Sequence, residues 1–275
     1  MRCPKRFRHR PAHADLLHVD LWWNGVNVAL DPGSFSYNAP PPWDGALAET
    51  RFHNTVTVDG EDQMQRVGRF LWFPWTEGDP GEILSTATGN VKVWTGSHRG
   101  YYRLGKRVIH RRAMVWLAGI GWVILDDLRG LVSTGQRCVL HWLLPESAET
   151  DQGGMLRLKL EAGGAMLAFE GGVLRGETRW SIDRADSQSP RGWKSEYYQH
   201  RAPATSVQIE GYGAEVMFWS YVGFASGKVS VQGDVMSIEN GDVRAELWLD
   251  RAEARVVRRA NESIEEMGVF RLFRG

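Results

Sequence analysis

Apolar and polar side chains alternate with a period of two from one end of this chain to the other. No window of helical length shows a sustained 3.6-residue period. That pattern confines the chain to an all-β fold. The runs are His18 to Trp23, Val26 to Leu30, Thr55 to Val58, Phe70 to Trp75, Val91 to Trp94, Lys106 to Trp116 and Trp122 to Asp126. They continue with Arg137 to Leu144, Arg157 to Leu160, Met166 to Glu170, Val207 to Ile209, Val216 to Tyr221, Lys228 to Gln232, Val235 to Ile238 and Val243 to Leu249. Between them stand turn formers: Asn24-Gly25, Asp59-Gly60, the run GDPG at Gly78 to Gly81, and Asn240-Gly241. Short strands joined by such turns predict an antiparallel sandwich. Open sheets rarely exceed ~10 strands, so 275 residues imply a large sandwich of two sheets or more layers. Helical turns are expected only at Asp44 to Arg51 and Glu262 to Met267. The polar stretch Ser181 to Ala204 reads as one long excursion.

Composition removes several classes of function. The 33 basic and 33 acidic residues cancel, so no global field draws a polyanion. The basic start MRCPKRFRHR lacks the aromatic interleaving of a nucleic-acid arm, so residues 1–10 read as a frayed leader and residues 11–275 as a single domain. The abrupt entry into PAHADLL suggests a chain that begins within something larger. No run reaches the length of a membrane helix, and the N-terminus lacks the apolar core of a signal peptide. Cys3 and Cys138 do not form a disulfide framework; Cys138, in the apolar run CVLHWLLP, reads as a buried small hydrophobe. The 13 tryptophans exceed what a core of this size requires. Most read as packing, and some as flat platforms for the C–H faces of sugars.

One set of residues points to metal chemistry. His13, Asp31 and His53 are suitable ligands for a borderline cation such as Zn²⁺. They are far apart in sequence, so neighbouring strands must bring them together; a His and an Asp on adjacent strands can equally hydrogen-bond each other. The hairpin at Asn24-Gly25 sets a geometric condition. A two-residue loop pairs Trp23 with Val26 and puts Asp31 opposite His18. A three-residue loop, or a bulge, brings Asp31 to the face that carries His13. His13 and His18 therefore remain rival partners of Asp31. Tyr37, His53, Tyr101, Tyr102, Tyr197 and Tyr198 stand in turn-rich contexts where a tyrosine or histidine can act as acid or base, although each reads more simply as structural. No nucleophile elbow, phosphate-binding glycine loop, Cys-x-x-Cys pair or dinucleotide fingerprint is present.

The motifs HADLLHVDLWWNG, LDPGSFSYN and FHNTVTVDGEDQ, with GRFLWF downstream, resemble the C-terminal β-sheet domain of heparinase II/III-type polysaccharide lyases, a group that includes alginate and heparin lyases. The likeness is specific over about residues 10 to 75, and looser through HRGYYRL, IHRRAMVWL, WVILDDLRG and GWKSEYYQHRAP. It implies a multilayer antiparallel β-sandwich that follows an N-terminal α/α toroid, for which this chain has no candidate stretch. It also implies β-elimination of uronic-acid-containing glycans, an acidic polysaccharide or oligosaccharide as partner, and a periplasmic or other extracytoplasmic location. In that family the acid and base groups stand largely on the toroid, while the sandwich supplies a structural zinc site and one wall of the cleft. The resemblance maps the zinc ligands onto His13, Asp31 and His53, and puts Tyr37, Trp43, Arg51 and Asn54 on the substrate side. Tyr37 and His18 are the candidates for acid–base work. The family often has a cleft-facing histidine where this chain has Pro11, which removes that group from any chemistry here. Two rival readings remain: a non-catalytic carbohydrate-binding module, and a metallohydrolase built on the same three residues.

Overall fold

The computed structural model of the chain describes residues 9–105, 107–132, 135–150, 156–159, 165–249, 253–260 and 263–271. Its centre is a nine-stranded antiparallel sheet. In spatial order this runs Ala148–Thr150, Leu156–Lys159, Met166–Val173, Val216–Phe224, Gly121–Arg129, Ile109–Leu117, Val91–His98 and Gly78–Asp79, with Ile83–Ser85 also paired to Val91–His98. A five-stranded sheet covers one face: Arg179–Arg184, Ala202–Gly213, Gln136–Pro145 and Val56–Val58, plus Trp193–Lys194 paired to Ala202–Gly213. A meander of five strands from Lys228–Gln232 to Ser263–Arg271 covers the other.

The central sheet is therefore buried on both faces, which explains why Gly121–Arg129 reads as a nearly continuous apolar run instead of an alternating one. Ile124 and Leu128 pack into the core shared with Leu140, Trp142, Val207 and Ile209. Val123 and Leu125 pack into the opposite core, with Met236, Ile238, Ala245 and Leu247. Cys138 lies buried in the first core, as expected. The expected multilayer antiparallel sandwich is present.

Three details depart from the sequence reading. Ser181 to Ala204 is not one excursion, because Arg179–Arg184 and Ala202–Gly213 pair along its two ends, leaving 185–201 between them. Arg179–Arg184 is an edge strand with mostly exposed side chains, so its polarity hid it. Of the stretch Glu262 to Met267, Glu262 lies outside the described residues and the rest is not helical: Ser263–Arg271 pairs with Glu253–Ala260, and tertiary pairing overrides the poor strand propensity of its two glutamates. The strand Gln65–Gly68 also escaped the pattern, whereas its partner Leu71–Phe73 falls within the expected run Phe70 to Trp75. Asp44 to Arg51 does hold helical turns, as short 3₁₀ segments at Ala46–Ala48 and Thr50–Phe52. Residues 1–8, Lys106 and Leu160 lie outside the described residues.

Candidate metal centre

Three stretches of the N-terminal quarter meet beside the strand Gln136–Pro145. Val56–Val58 pairs with it directly, Leu30 N–H donates to Leu143 O at 2.8 Å, and His141 N–H donates to Thr55 O at 3.1 Å. The Asn54 side chain extends that ladder, its Oδ1 accepting from Leu143 N–H at 2.6 Å. The hairpin Leu21–Trp23 and Val26–Ala29 leads into the site. Its loop is the two-residue kind, with Trp23 opposite Val26 and positive φ at both Asn24 (46°) and Gly25 (82°). The register then slips by one, so that Leu21 faces Ala29: a bulge.

Beyond the bulge the hairpin ladder ends, and His13, Asp31 and His53 come together, with one ligand atom from each lying within 4.8 Å of the others. His53 forms the floor and is fully buried. Burial and the neighbouring His18 and His13 hold its pKa well below the ordinary value. Neither of its ring nitrogens has a hydrogen-bond partner. An imidazole with no partner in the interior is costly, and a cation accepting its lone pair removes much of that cost. His13 is half-buried, and its Nε2 lies 2.6 Å from Ser34 Oγ. Asp31 stands at the mouth with its side chain 42% exposed. Its Oδ1 accepts from Gly33 N–H at 2.7 Å, leaving Oδ2 toward the cluster. Two imidazoles and a carboxylate, one buried and one opening to solvent, fit a borderline divalent cation.

His18 also reaches the cluster, with Nε2 3.4 Å from Asp31 Oδ2. The choice between His13 and His18 is therefore one of roles. The N–H of Asn54 donates to His18 Nδ1 at 3.0 Å, which places the ring proton on Nε2. Burial, then the charge of Arg112, lowers the His18 pKa to about 3, so the ring is neutral. Nε2–H can face the carboxylate but has no lone pair to offer a metal. His18 Nε2 stands 3.4 Å from the Asp31 carboxylate without a hydrogen bond to it, and the residues that could hold a metal are His13, Asp31 and His53.

A cleft of about 230 Å³ adjoins the cluster. Ser34 belongs to both, since it lines the cleft and contacts His13. Pro11, Tyr37 and Trp43 line it, as do Phe70 and three arginines, Arg10, Arg66 and Arg69. Tyr37 is 38% exposed, stacked on Tyr198 at 5.5 Å and edge-on to Phe70 at 4.9 Å. Trp43 is fixed by the Arg201 guanidinium, which lies 4.0 Å from its ring and 4.5 Å from that of Trp193. A larger cavity of about 610 Å³ lies near Glu77, His98 and Arg129. Of its three arginines, Arg111 and Arg129 are both held by Asp127, and Arg99 also lines it.

A family model described as heparinase II/III-like, C-terminal, matches residues 3–246. The chain belongs to that family. Among curated proteins, a heparin-sulfate lyase of Bacteroides stercoris is 29% identical over 152 residues, which is 52% of this chain and 19% of that protein. Among solved structures, a heparinase III gene product with methylated lysines aligns with a TM-score of 0.67 at 19% identity, covering 98% of this chain and 38% of that one. The heparan sulfate lyase HepC of Pedobacter heparinus aligns with a TM-score of 0.65 at 16% identity, covering 96% and 37%. These likenesses show the fold, and the chain spans less than two fifths of the solved chains.

Set in this heparinase-like sandwich, the expected substrate residues divide. Tyr37 and Trp43 face the cleft. Asn54 does not: it is fully buried, its Nδ2 donating to Val19 O at 2.7 Å and Leu30 O at 3.0 Å, so its amide is spent on backbone. Arg51 is absent from the cleft lining and pairs with Glu49 at 2.7 Å. His18 is buried away from the cleft as well, which leaves Tyr37 as the accessible acid–base candidate of the two. Of the 13 tryptophans, Trp72, Trp142 and Trp219 are buried and Trp22 and Trp75 exposed, so packing explains much of the excess. Sequence reading missed Arg112 and Asp126, fully buried in the site's foundation. A signal was present, since charges set inside the apolar strands IHRRAMVWL and WVILDDLRG require buried partners.

Proposed function

We propose that this chain serves as the C-terminal sandwich of a heparinase II/III-like polysaccharide lyase, holding zinc through His13, Asp31 and His53 and presenting one wall of a cleft for an acidic glycan. The observation that carries this reading is the junction at Ser34 between the ligand cluster and a cleft lined by Arg10 and Arg69, with Tyr37 and Trp43 beside them and Arg66 held by Asp44. Guanidinium groups suit carboxylate and sulfate, and aromatic faces suit pyranose rings. The relatives' printed activities, on heparin and heparan sulfate, agree with that chemistry. A bound zinc would add a fixed positive charge joining three chain segments. Around it Ser34 holds His13, His18 stands beside Asp31, and burial keeps His53 neutral with its lone pair free.

Among the described residues lining the cleft, Tyr37 is the single side chain suited to move a proton. β-Elimination requires both a base for the C5 proton and an acid for the leaving oxygen, so the chain alone is expected to bind without turnover. The second group would come from an α/α toroid on the same or another polypeptide, in a periplasmic setting. Incubation of the purified chain with heparan sulfate, heparin and alginate tests this. Affinity electrophoresis should show retardation that weakens at high salt and in the Arg69→Ala and Tyr37→Ala variants. Absorbance of the unsaturated product should stay flat, and sustained turnover would contradict the proposal. A plain carbohydrate-binding module is the second reading, favoured by the stacked Tyr37 and Tyr198. It requires binding to survive complete removal of metal.

A further inference from the structure

Arg112 projects from the strand Ile109–Leu117 on the face that carries Ile124 and Leu128 from the neighbouring strand. It is fully buried. Its Nε donates to Asp126 Oδ1 at 2.6 Å and its Nη2 to Oδ2 at 2.9 Å, a bidentate fork between directly paired residues. The remaining nitrogen, Nη1, donates to two backbone carbonyls, Leu17 O and Asn54 O, each at 2.6 Å. Those carbonyls lie immediately before His18 and immediately after His53. Asn54 in turn donates to Val19 O and to Leu30 O, the carbonyl just before Asp31. One guanidinium and one amide thus join all three segments that bear the ligand cluster.

The segments need such a tie, because the chain between His13 and Leu21 has no strand partner. Leu17 sits at φ 63°, a conformation that costs a non-glycine residue on the order of 1–3 kcal/mol unless its surroundings enforce it. Gln63 brackets the residue before it, Oε1 accepting from Leu16 N–H at 2.7 Å and Nε2 donating to Leu16 O at 3.0 Å. Asp126 is held from its other side too. Gly100 N–H donates to His98 Nδ1, so His98 Nε2–H donates to His110 Nδ1 at 3.1 Å. His110 Nε2–H then donates to Asp126 Oδ1 at 2.6 Å. Burial alone would push the Asp126 pKa up, but the charge of Arg112 and the bond from His110 outweigh it and leave it lowered.

We propose that Arg112, locked by Asp126 and acting with Asn54, is a positioning residue of the metal centre: together they set the backbone from which His18, Asp31 and His53 project, without touching the ion. The inference rests on the zinc reading above, and the test separates the two. Zinc affinity of the whole chain is measured by competition with a chromophoric chelator, alongside the visible spectrum of the cobalt(II)-loaded protein and the melting temperature in excess chelator. Loss of an outer-shell partner typically weakens metal binding 10–100-fold. The double variant Arg112→Gln with Asp126→Asn, which leaves no unpaired buried charge, should bind zinc about 10–100-fold more weakly and shift the cobalt spectrum. Tyr221→Phe, which removes a buried hydroxyl bonded to Ile120 O and Phe224 O far from the site, should lower stability and leave affinity and spectrum unchanged. Arg112→Lys, with one donor group in place of a fork, should fall between wild type and the double variant. It carries the comparison if the double variant does not melt cooperatively. Wild-type affinity and spectrum in either variant would overturn the positioning role and leave the zinc reading intact. A wild-type chain that binds no zinc would overturn both. Failure of both variants to fold would also overturn the proposal, since the pair would then be a folding requirement.

Discussion

His53 is chemically the most exacting residue in the chain, a buried ring with two nitrogens and no partner for either. His18, His98, His110 and His141 are buried as well, but each has a bonded ring nitrogen that defines its place. Ser34, which bridges His13 and the cleft, supports His13 through one contact. Ser34→Ala should therefore weaken zinc binding by about tenfold, the low end for an outer-shell partner, with little change in fold by circular dichroism. Asp62 offers a separate test of how burial sets charge. Its carboxyl accepts from Thr50 N–H at 2.7 Å, yet burial raises its pKa from 3.8 to about 6. A raised folded pKa means the native state binds the proton more tightly than the unfolded chain does. That stability is present below pH 4 and lost as pH rises through 6. Asp62→Asn, which mimics the protonated form, should stabilise the chain by about 2–3 kcal/mol at pH 8 and leave it unchanged at pH 3.5, as read by urea denaturation.

At the scale of elements, the excursion over 185–201 clasps the loop that carries Asp31. Ser195 N–H donates to Pro32 O at 2.8 Å, Gln199 N–H donates to Phe35 O at 2.7 Å, and Gly33 forms a parallel bridge with Ser195. Gly33 has φ 69°, and a Cβ there would lie 1.9 Å from Ser195 O. Gly33→Ala should thus release the clasp, lowering both melting temperature and zinc affinity, while Gly25→Ala, with open space around its Cβ, should cost only its turn strain of about 1 kcal/mol. Much at this scale was legible beforehand. The hairpin turn at Asn24-Gly25 follows from residue type, and the grouping of His13, Asp31 and His53 from motif likeness. The bulge was not legible, because Leu21 and Val28 carry no local mark of a register slip. Nor was the burial of Asn54, since a polar side chain beside a ligand looks the same in sequence whether it faces a substrate or props up backbone. The edge strands Arg179–Arg184 and Ser263–Arg271 were hidden because exposed edges tolerate the charges that usually signal loops.

At the scale of the whole molecule, a central sheet packed on both faces leaves little room for charge in the interior, and the polar groups that are buried become sensitive to pH. His18, His53, His98, His110 and His141 all have pKa values lowered, chiefly by burial, to about 3 for His18 and His141. A lowered folded pKa means that unfolding takes up protons below about pH 6.5. The associated stability is complete above that value and falls as pH drops toward the folded pKa values. His18 and His141, both held near 3, alone give a slope approaching ~3 kcal/mol per pH unit below the ordinary histidine range, a large share of an ordinary domain's ~5–15 kcal/mol. The metal-free chain should therefore lose stability steadily as pH falls from about 6 to 4, read as a falling melting temperature. A melting temperature that does not change over that range would show that these rings are not held neutral. Stoichiometric zinc titration of the purified chain after exhaustive chelation tests the metal centre most directly. One tightly bound zinc per chain and a rise in melting temperature on loading are expected, with loss of both in His53→Ala and Asp31→Ala but not in Arg51→Ala. No saturable zinc site, or a site that survives both substitutions, would contradict the proposed metal centre.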